Sequence, residues 1–156
     1  MATGNGDSVR QEIVVPAGLE EAFRTFTEEL RRWWPSEFTW SRDKLVDIAI
    51  ECEPGGACYE TGPYGFSCDW GRVLKCDPPD RLVLSWQIGA DRVPEPDPDK
   101  ASEVTVEFTG EHPSSSQVVL EHRGFERHGE EADGYRAAMK EGWQYVLQCY
   151  ASAFGR

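Results

Sequence analysis

Two consecutive prolines, Pro78 and Pro79, constrain the fold of this chain more than any other short stretch. Proline has no backbone N–H and holds φ at about −65°, so a strand cannot run through the pair and the chain must turn there. After the turn, bulky apolar side chains alternate with smaller or polar ones. The bulky positions are Leu82, Leu84 and Trp86. This period of two predicts a β-hairpin over residues 71–86 with one buried face.

Similar patterns predict the order of elements in the rest of the chain. Alternating positions predict strands over residues 10–15, 44–53, 57–61, 66–75, 102–109 and 117–123. Apolar residues at steps of three and four predict a helix over 19–34, broken near Thr27, and a long helix over 131–154. Residues 1–8 are small and polar and are predicted to form a disordered tail. Residues 9–156 are predicted to form one domain.

The composition fits one domain without cross-links. A chain of 156 residues can bury roughly 68–70% of its unfolded surface, which is enough for a core without disulfides. The five cysteines are odd in number, lack a Cys-x-x-Cys pair and follow no signal-peptide pattern. We therefore expect reduced thiols and a cytoplasmic protein. No apolar run approaches the ~18 residues of a membrane-spanning helix, so a membrane span is not expected.

The formal net charge of −12, from 16 basic and 28 acidic side chains, disfavours some classes of partner. A surface of this charge repels phosphate backbones, so nucleic acid is not expected to bind. Much of the acid falls in two segments without periodicity, residues 91–103 and 126–133, which we interpret as solvated loops. His112 and His128 belong to charged segments of this kind and are expected at the surface.

Short motifs spread along the chain resemble one protein family in their order. Besides the Pro-Pro-x-Arg-Leu-Val turn that leads to Ser85-Trp86, they are residues 13–23 (IVVPAGLEEAF), Trp33-Trp34, Gly55-Gly56, residues 104–108 and 120–124, and Gly142-Trp143. Together they resemble the SRPBCC (START-like) superfamily, and more closely its branch named after the activator of the heat-shock protein 90 ATPase. The resemblance implies an α+β helix-grip fold. In that fold a curved antiparallel sheet of about seven strands wraps around a long C-terminal helix, and two short helices follow the first strand.

The resemblance also implies a cavity between the sheet and the helix that holds a small hydrophobic or amphipathic molecule. Inward positions of the strands and of the last helix would form its walls, with two tryptophans near the mouth. The candidate ligand-binding residues are Trp34, Trp40, Ile48, Ile50, Phe66, Cys68, Trp70, Trp86, Val106, Phe108, Leu120, His122, Met139, Trp143 and Leu147. A densely packed core uses the same residue types at the same spacing, so the pattern alone does not distinguish a cavity from a core.

His122 is the candidate with the sharpest chemistry. Strand alternation places its imidazole inward together with Leu120, and its reference pKa is about 6.5. Two interpretations remain open: it serves a ligand, or it is a hydrogen-bonded histidine that fixes strand packing. The chain contains no nucleophile-elbow, zinc-protease, phosphate-loop or dinucleotide motif, so no catalytic residue and no cofactor is predicted. Cys52, Cys58 and Cys68 lie on adjacent predicted strands but lack a nearby histidine, so no metal site is predicted.

Three functions remain open. The favoured one is a binding module for a small hydrophobic molecule, because no convergent acid–base pair is evident. The second is a polyketide cyclase- or dehydratase-like enzyme that uses His122, Asp69 or Tyr64 as acid or base. The third, implied by the eukaryotic namesake of the family, is a chaperone cofactor that acts through its surface, although no sequence feature supports a chaperone partner. The sequence is also compatible with a homodimer.

Overall fold

One antiparallel sheet of seven strands dominates the computed structural model, which describes residues 8–154. The strands are β1 (Val9–Val15), β2 (Asp47–Ile50), β3 (Ala57–Thr61), β4 (Ser67–Asp77), β5 (Arg81–Trp86), β6 (Ser102–His112) and β7 (Ser115–Arg123). Across the sheet they follow the order β1-β7-β6-β5-β4-β3-β2, so β2 to β7 pair with their neighbours in sequence and β1 pairs with β7. The helices of these residues are α1 (Leu19–Glu28), α2 (Leu30–Trp33) and α3 (Ala132–Ser152).

Irregularities in strand pairing help to curve the sheet. The register shifts between Cys58 and Tyr59 in β3, between Val73 and Lys75 in β4, and beyond Gly110 in β6. A bulge bends its strand and increases the local twist. The unpaired extra residues are Trp70 and Leu74 in β4 and Glu111 in β6, and these three bulges favour a curled half-barrel over a flat sheet.

The long helix α3 lies against the concave face of this sheet. Its buried residues share one face and are Tyr135, Trp143, Val146, Leu147 and Tyr150. The hydroxyl of Tyr150 donates to the carbonyl of Ala22 at 2.6 Å, which ties α3 to α1. A long helix held by a curved antiparallel sheet, with two short helices after the first strand, is the helix-grip fold. The fold predicted from the sequence is confirmed.

Aromatic rings fill the space where α1 and α2 meet the sheet and α3. Phe26 contacts Phe108, Trp33 and Tyr150, with ring centroids 5.6, 5.0 and 5.2 Å apart. Trp33 also donates its indole N–H to the carbonyl of Thr25 at 2.9 Å. This end of the molecule is therefore a packed core. Open space lies instead toward the N-terminal part of α3.

Two strands differ from the pattern that their sequences predict. β2 covers Asp47–Ile50, and Val46, which is expected to point inward, is 60% exposed because it precedes the strand. β5 is expected to bury one face, yet Val83 and Ser85 on the other face are buried as well. β5 is the middle strand of the sheet, and the long side chain of Lys75 lies beside Val83 on β4. Long polar side chains can cover apolar surface in this way.

The cysteines contradict the prediction of five reduced thiols. Cys52 and Cys76 form a disulfide across a sequence separation of 24 residues, with Cα atoms 5.7 Å apart. The turn between β2 and β3 folds onto β4, where the Gly55 N–H donates to the Val73 carbonyl at 2.8 Å, and this brings the two thiols together. The free cysteines are Cys58, Cys68 and Cys149. The prediction is wrong because it considered spacing along the chain and not pairing across the sheet, and the cysteines no longer support a cytoplasmic location.

Two further predictions concern membranes and the chain start. Within residues 8–154, no helix is long and apolar enough to cross a membrane. The predicted tail over residues 1–8 lies, except for Ser8, outside the described residues. The division of the chain into this tail and one domain stays a prediction.

Candidate functional site

A cavity of about 400 Å³ lies between the sheet and α3, a volume that suits a small-molecule ligand. Five tryptophans contribute to its wall: Trp34, Trp40, Trp70, Trp86 and Trp143. The other lining residues are Glu37, Phe38, Thr39, Arg42, Ile48, Glu60, Ile88, Arg92, Tyr135, Ala138, Met139, Gly142 and Val146. The exposed residues of the lining form the opening, which we call the mouth. They are Glu37, Phe38, Arg42, Arg92 and Ala138.

Four of the tryptophans form a closed ring of contacts, which we call the tryptophan tetrad. The indoles of Trp34 and Trp70 are stacked, with centroids 6.3 Å apart and planes inclined by 23°. Trp70 contacts Trp86 at 5.7 Å, Trp86 contacts Trp143 at 5.2 Å, and Trp143 contacts Trp34 at 6.0 Å. Aromatic side chains prefer stacked or edge-to-face partners, so the tetrad favours a planar aromatic occupant.

Tyr135 of α3 forms a hydrogen bond with the indole of Trp86 and so fixes this part of the cavity wall. Trp86 Nε1 donates to the Tyr135 hydroxyl at 2.8 Å, and that hydroxyl donates to the carbonyl of Ile88 at 2.8 Å. Burial raises the pKa of Tyr135 to about 12, so the phenol is neutral at physiological pH. The protein thus uses both the hydroxyl proton of Tyr135 and one acceptor site of its oxygen. The guanidinium of Arg92 lies 4.8 Å from the centroid of the Tyr135 ring.

A chain of hydrogen bonds leads from the cavity wall through the protein interior. Trp143 Nε1 donates to His122 Nδ1 at 2.9 Å, and the indole can only donate, so Nδ1 of the neutral ring carries no proton. His122 Nε2 therefore carries the proton and donates to Ser102 Oγ at 2.7 Å. Ser102 Oγ also lies 2.7 Å from His128 Nε2, and the direction of that hydrogen bond depends on the tautomer of His128. The donor-only indole thus sets the direction of the two hydrogen bonds that His122 makes.

Both histidines of this series of hydrogen bonds, His122 and His128, favour the neutral form. Burial, and to a smaller degree the charge of His128, holds the pKa of His122 well below its usual value of 6.5. Burial also lowers the pKa of His128, and the nearby carboxylate of Glu95 opposes this effect. The prediction that His128 lies at the surface is wrong, because the helical turns over Phe125–Glu131 fold its imidazole back onto Ser102 and leave it half-buried.

A buried carboxylate anchors the segment that carries the mouth. Glu60 of β3 is fully buried, and its two oxygens accept the backbone N–H groups of Trp40 and Ser41 at 3.1 and 2.7 Å. A buried charge needs such partners to offset its lost hydration. Trp40 in turn donates its indole N–H to the carbonyl of Arg92 at 2.9 Å. Glu60 and Trp40 therefore join β3, the segment around residue 40 and the loop around residue 92.

The structure divides the predicted site residues into those that line the cavity and those that do not. The lining residues among them are Trp34, Trp40, Ile48, Trp70, Trp86, Met139 and Trp143. The buried residues that pack beneath the cavity are Ile50, Val106, Phe108, Leu120 and Leu147. His122 is fully buried behind Trp143 and does not line the cavity. The ligand-binding role of the lining residues stays a prediction.

Phe66 and Cys68 are placed away from the cavity wall. Phe66 precedes β4 and is 40% exposed, because it lies in the turn and not in the strand. Cys68 lies at the start of β4, partly exposed, and its thiol donates to the carbonyl of Asp69 at 3.7 Å. Burial raises the pKa of Cys68 to about 11, which does not suit a nucleophile. The inward face predicted for 66–70 therefore holds only at Trp70.

Sequence reasoning missed the polar part of the site. The lining residues outside the predicted set are Glu37, Phe38, Thr39, Arg42, Glu60, Ile88, Arg92, Tyr135, Ala138, Gly142 and Val146. Three of them carried a signal: Glu60 alternates with Cys58 on a strand, and Tyr135 and Val146 fall on the apolar stripe of the last helix. Glu37, Phe38 and Arg42 lie in single 3₁₀ turns and Arg92 lies in a loop, and such short segments contain no periodicity that indicates a direction.

Comparisons with known proteins place this geometry among related folds. The family model described as "Activator of Hsp90 ATPase homolog 1-like protein" matches residues 16–154. A comparison with curated proteins found no match. Among solved structures, the anthrahydroquino-γ-pyrone synthase Txn09, solved as a complex, is 34% identical, with a TM-score of 0.62. That match covers 86% of this chain and 87% of Txn09.

Two further structures are similar in fold. CalC from Micromonospora echinospora, described as a self-sacrificing resistance protein, is 30% identical with a TM-score of 0.65. The match covers 95% of this chain and 94% of CalC. Protein MLL2253 from Mesorhizobium loti is 20% identical with a TM-score of 0.64, over 93% of this chain and 94% of that protein, and supports the fold alone.

Proposed function

Because the chain belongs to the family of activator of Hsp90 ATPase homolog 1-like proteins, we propose that it binds a small, planar and largely apolar molecule in its cavity. The observation that carries this proposal is the tryptophan tetrad around a space of about 400 Å³. Native interiors pack densely, so an unfilled space of this size beside four indoles favours a ligand over a packing defect.

Two of these similar structures, each at least 30% identical to this chain, support a small-molecule role. One is described as a synthase of an anthrahydroquino-γ-pyrone and the other as a resistance protein. Both roles are compatible with holding a small molecule inside the same fold. A polycyclic aromatic molecule also matches the flat walls that the indoles provide.

Enzymatic conversion of the bound molecule is the second candidate function, favoured by the identity to the synthase Txn09. The acid–base residues expected from the sequence do not support it. His122 lies behind the wall, Tyr64 is fully exposed outside the cavity, and Asp69 pairs with Arg72 at 3.0 Å on the surface. Binding is therefore the function we favour, and a chaperone-cofactor role draws no support from the cavity.

Filling the cavity from α3 tests the proposal. Gly142 lines the cavity, and a Cβ built there meets nothing within 4 Å, so Gly142→Leu places a side chain in open space. Gly134→Leu is the matched control, because Gly134 also lies on α3 with nothing within 4 Å but does not line the cavity. Replacing a helical glycine removes a propensity cost of roughly 0.5–1 kcal/mol, so both variants should fold.

The measurement is a fluorescence titration with the neutral apolar probe N-phenyl-1-naphthylamine. We expect the wild type and Gly134→Leu to bind it with similar affinity and Gly142→Leu to bind at least about tenfold more weakly, the equivalent of ~1.4 kcal/mol. Equal affinity of all three proteins would place the probe elsewhere and refute the cavity as the binding site.

A further inference from the structure

We infer that the cavity ligand carries an anionic oxygen, such as a carboxylate or phenolate, and that Arg42 and Arg92 hold this group at the mouth. The inference rests on the proposed binding function and specifies the chemistry of its ligand. It predicts an amphipathic molecule whose flat apolar part meets the tryptophan tetrad and whose charged end faces solvent.

Two separate segments bring these arginines to the same opening. Arg42 follows Trp40 by two residues, and the indole N–H of Trp40 donates to the carbonyl of Arg92 at 2.9 Å. Both arginines line the cavity, and both have left-handed backbones, with φ of 52° and 67°. Residues other than glycine rarely adopt this conformation, and where they do the surrounding contacts maintain it. The fold thus holds the backbones of both arginines at one mouth, and the guanidinium of Arg92 is further fixed by its bond to the Ala90 carbonyl at 2.6 Å and by the ring of Tyr135.

Hydrogen-bond donors at the cavity outnumber the acceptors that remain available to a ligand. Among residues 8–154, the guanidinium of Arg42 has no hydrogen-bond or ion-pair partner, and the buried Trp70 Nε1 has no acceptor. Most side-chain acceptors of the lining have partners: Glu60 accepts two backbone N–H groups, the Tyr135 hydroxyl accepts from Trp86, and one oxygen of Glu37 accepts from Tyr145. A ligand that supplies acceptor oxygens complements this arrangement.

The carboxylates of the lining have hydrogen-bond partners, whereas the guanidinium of Arg42 has none among residues 8–154. Glu37 at the mouth accepts the hydroxyl proton of Tyr145 at 2.7 Å, and Tyr145 does not line the cavity. That hydrogen bond also lowers the pKa of Glu37 and so keeps this carboxylate ionised at the mouth, where its charge opposes the attraction of the two arginines for an anion. Glu60, the other lining carboxylate, is covered by backbone N–H groups. In a chain of net charge −12, the two arginines at the mouth are the local feature that attracts an anion.

Two probes with one skeleton separate charge recognition from apolar binding. N-Phenyl-1-naphthylamine is neutral, whereas 8-anilinonaphthalene-1-sulfonate adds one anionic group to the same anilinonaphthalene. Each is titrated against the wild type, Arg42→Gln, Arg92→Gln and the double variant. Arg24→Gln is the control, because Arg24, like Arg42, is exposed and without a side-chain partner among the described residues, but lies on α1 outside the cavity. Melting curves confirm that each variant folds.

We expect the Kd of the sulfonate probe to rise about fivefold in each single variant and by roughly tenfold or more in the double variant. The neutral probe should change by less than about twofold, and added salt should weaken the sulfonate probe alone. Equal losses for both probes, or an equal loss in Arg24→Gln, would overturn the inference. One combination of results would refute the proposed function but support the anion site. In it, Gly142→Leu leaves the Kd of the neutral probe unchanged, while the Kd of the sulfonate probe still rises when the arginines are replaced.

Discussion

Trp143 donates its indole N–H to Nδ1 of His122 at 2.9 Å, so a buried histidine holds a tryptophan of the cavity wall from behind. Because indole nitrogen only donates, this bond requires the neutral histidine tautomer with its proton on Nε2. His122 is therefore a positioning residue for the wall. This relationship favours the second of the two interpretations that the sequence left open for His122.

The free energy of unfolding should fall as the pH drops below about 6.5. Burial holds the folded-state pKa of His122 well below 6.5, while the unfolded chain titrates near that value. Between the two values the unfolded state binds more protons, so stability is complete above the unfolded pKa and is lost as the pH decreases. We expect a slope of at most about 1.4 kcal/mol per pH unit from His122. Urea unfolding from pH 8 to pH 5 measures it.

His112 provides the control for this pH dependence. It lies at the exposed end of β6, so His112→Gln should leave the slope between pH 7 and pH 5 unchanged. The glutamine of His122→Gln cannot titrate in this range, so the slope should decrease, and the part that remains is the contribution of His128, whose pKa burial also lowers. A slope that His122→Gln leaves intact would assign the effect to other groups.

Trp143→Ala should weaken the binding of the neutral probe and lower the free energy of unfolding by less than the loss of a core tryptophan does. Removing a buried large aromatic costs about 3–5 kcal/mol in a solid core, and Trp143 borders open space, so the cost should fall below that range. Trp33→Ala is the matched comparison, because Trp33 is buried among rings in the packed end and does not line the cavity. We expect Trp33→Ala to lose the full amount and to retain affinity for N-phenyl-1-naphthylamine. Equal effects of both substitutions on stability and binding would contradict this division.

His122→Gln should lower stability and leave probe binding nearly unchanged. Glutamine keeps a donor and an acceptor but not the geometry that joins Trp143 to Ser102, so a loss of about 1 kcal/mol is expected, the net value of one hydrogen bond. Because His122 does not line the cavity, the Kd for the neutral probe should stay within about twofold. A loss of binding at unchanged stability would show that His122 contacts the ligand.

The disulfide between Cys52 and Cys76 should protect two thiols from alkylation. In denaturant without reductant, mass measurement should show three modified cysteines, the three free ones, and after reduction all five. Replacing Cys52 and Cys76 by serine should cost about 2–4 kcal/mol, because the bond restricts the unfolded chain. Cys149→Ser is the control and should change stability by less than about 0.5 kcal/mol. Five modified thiols before reduction would contradict the pairing.

The sequence by itself determined the order of the elements. β3 spans Ala57–Thr61 as predicted, and the turn at Pro78 and Pro79 separates β4 from β5, because alternation and missing backbone donors act over a few residues. The break between α1 and α2 falls at Glu29, two residues past the predicted Thr27. Local preferences define the existence of a helix better than its end, since the packing of neighbouring elements also selects the end.

Tertiary structure decided which inward residues meet open space and which meet one another. Trp86 and Leu120 both occupy inward strand positions, yet Trp86 lines the cavity and Leu120 lies in the core, because the distance between the sheet and α3 varies along the helix. Periodicity indicates a face and contains no information about that distance. The same limit explains the partners of His122 and Cys52, which lie on other strands or on α3. Those pairings depend on strand register and sheet curvature, which emerge only when the whole chain packs.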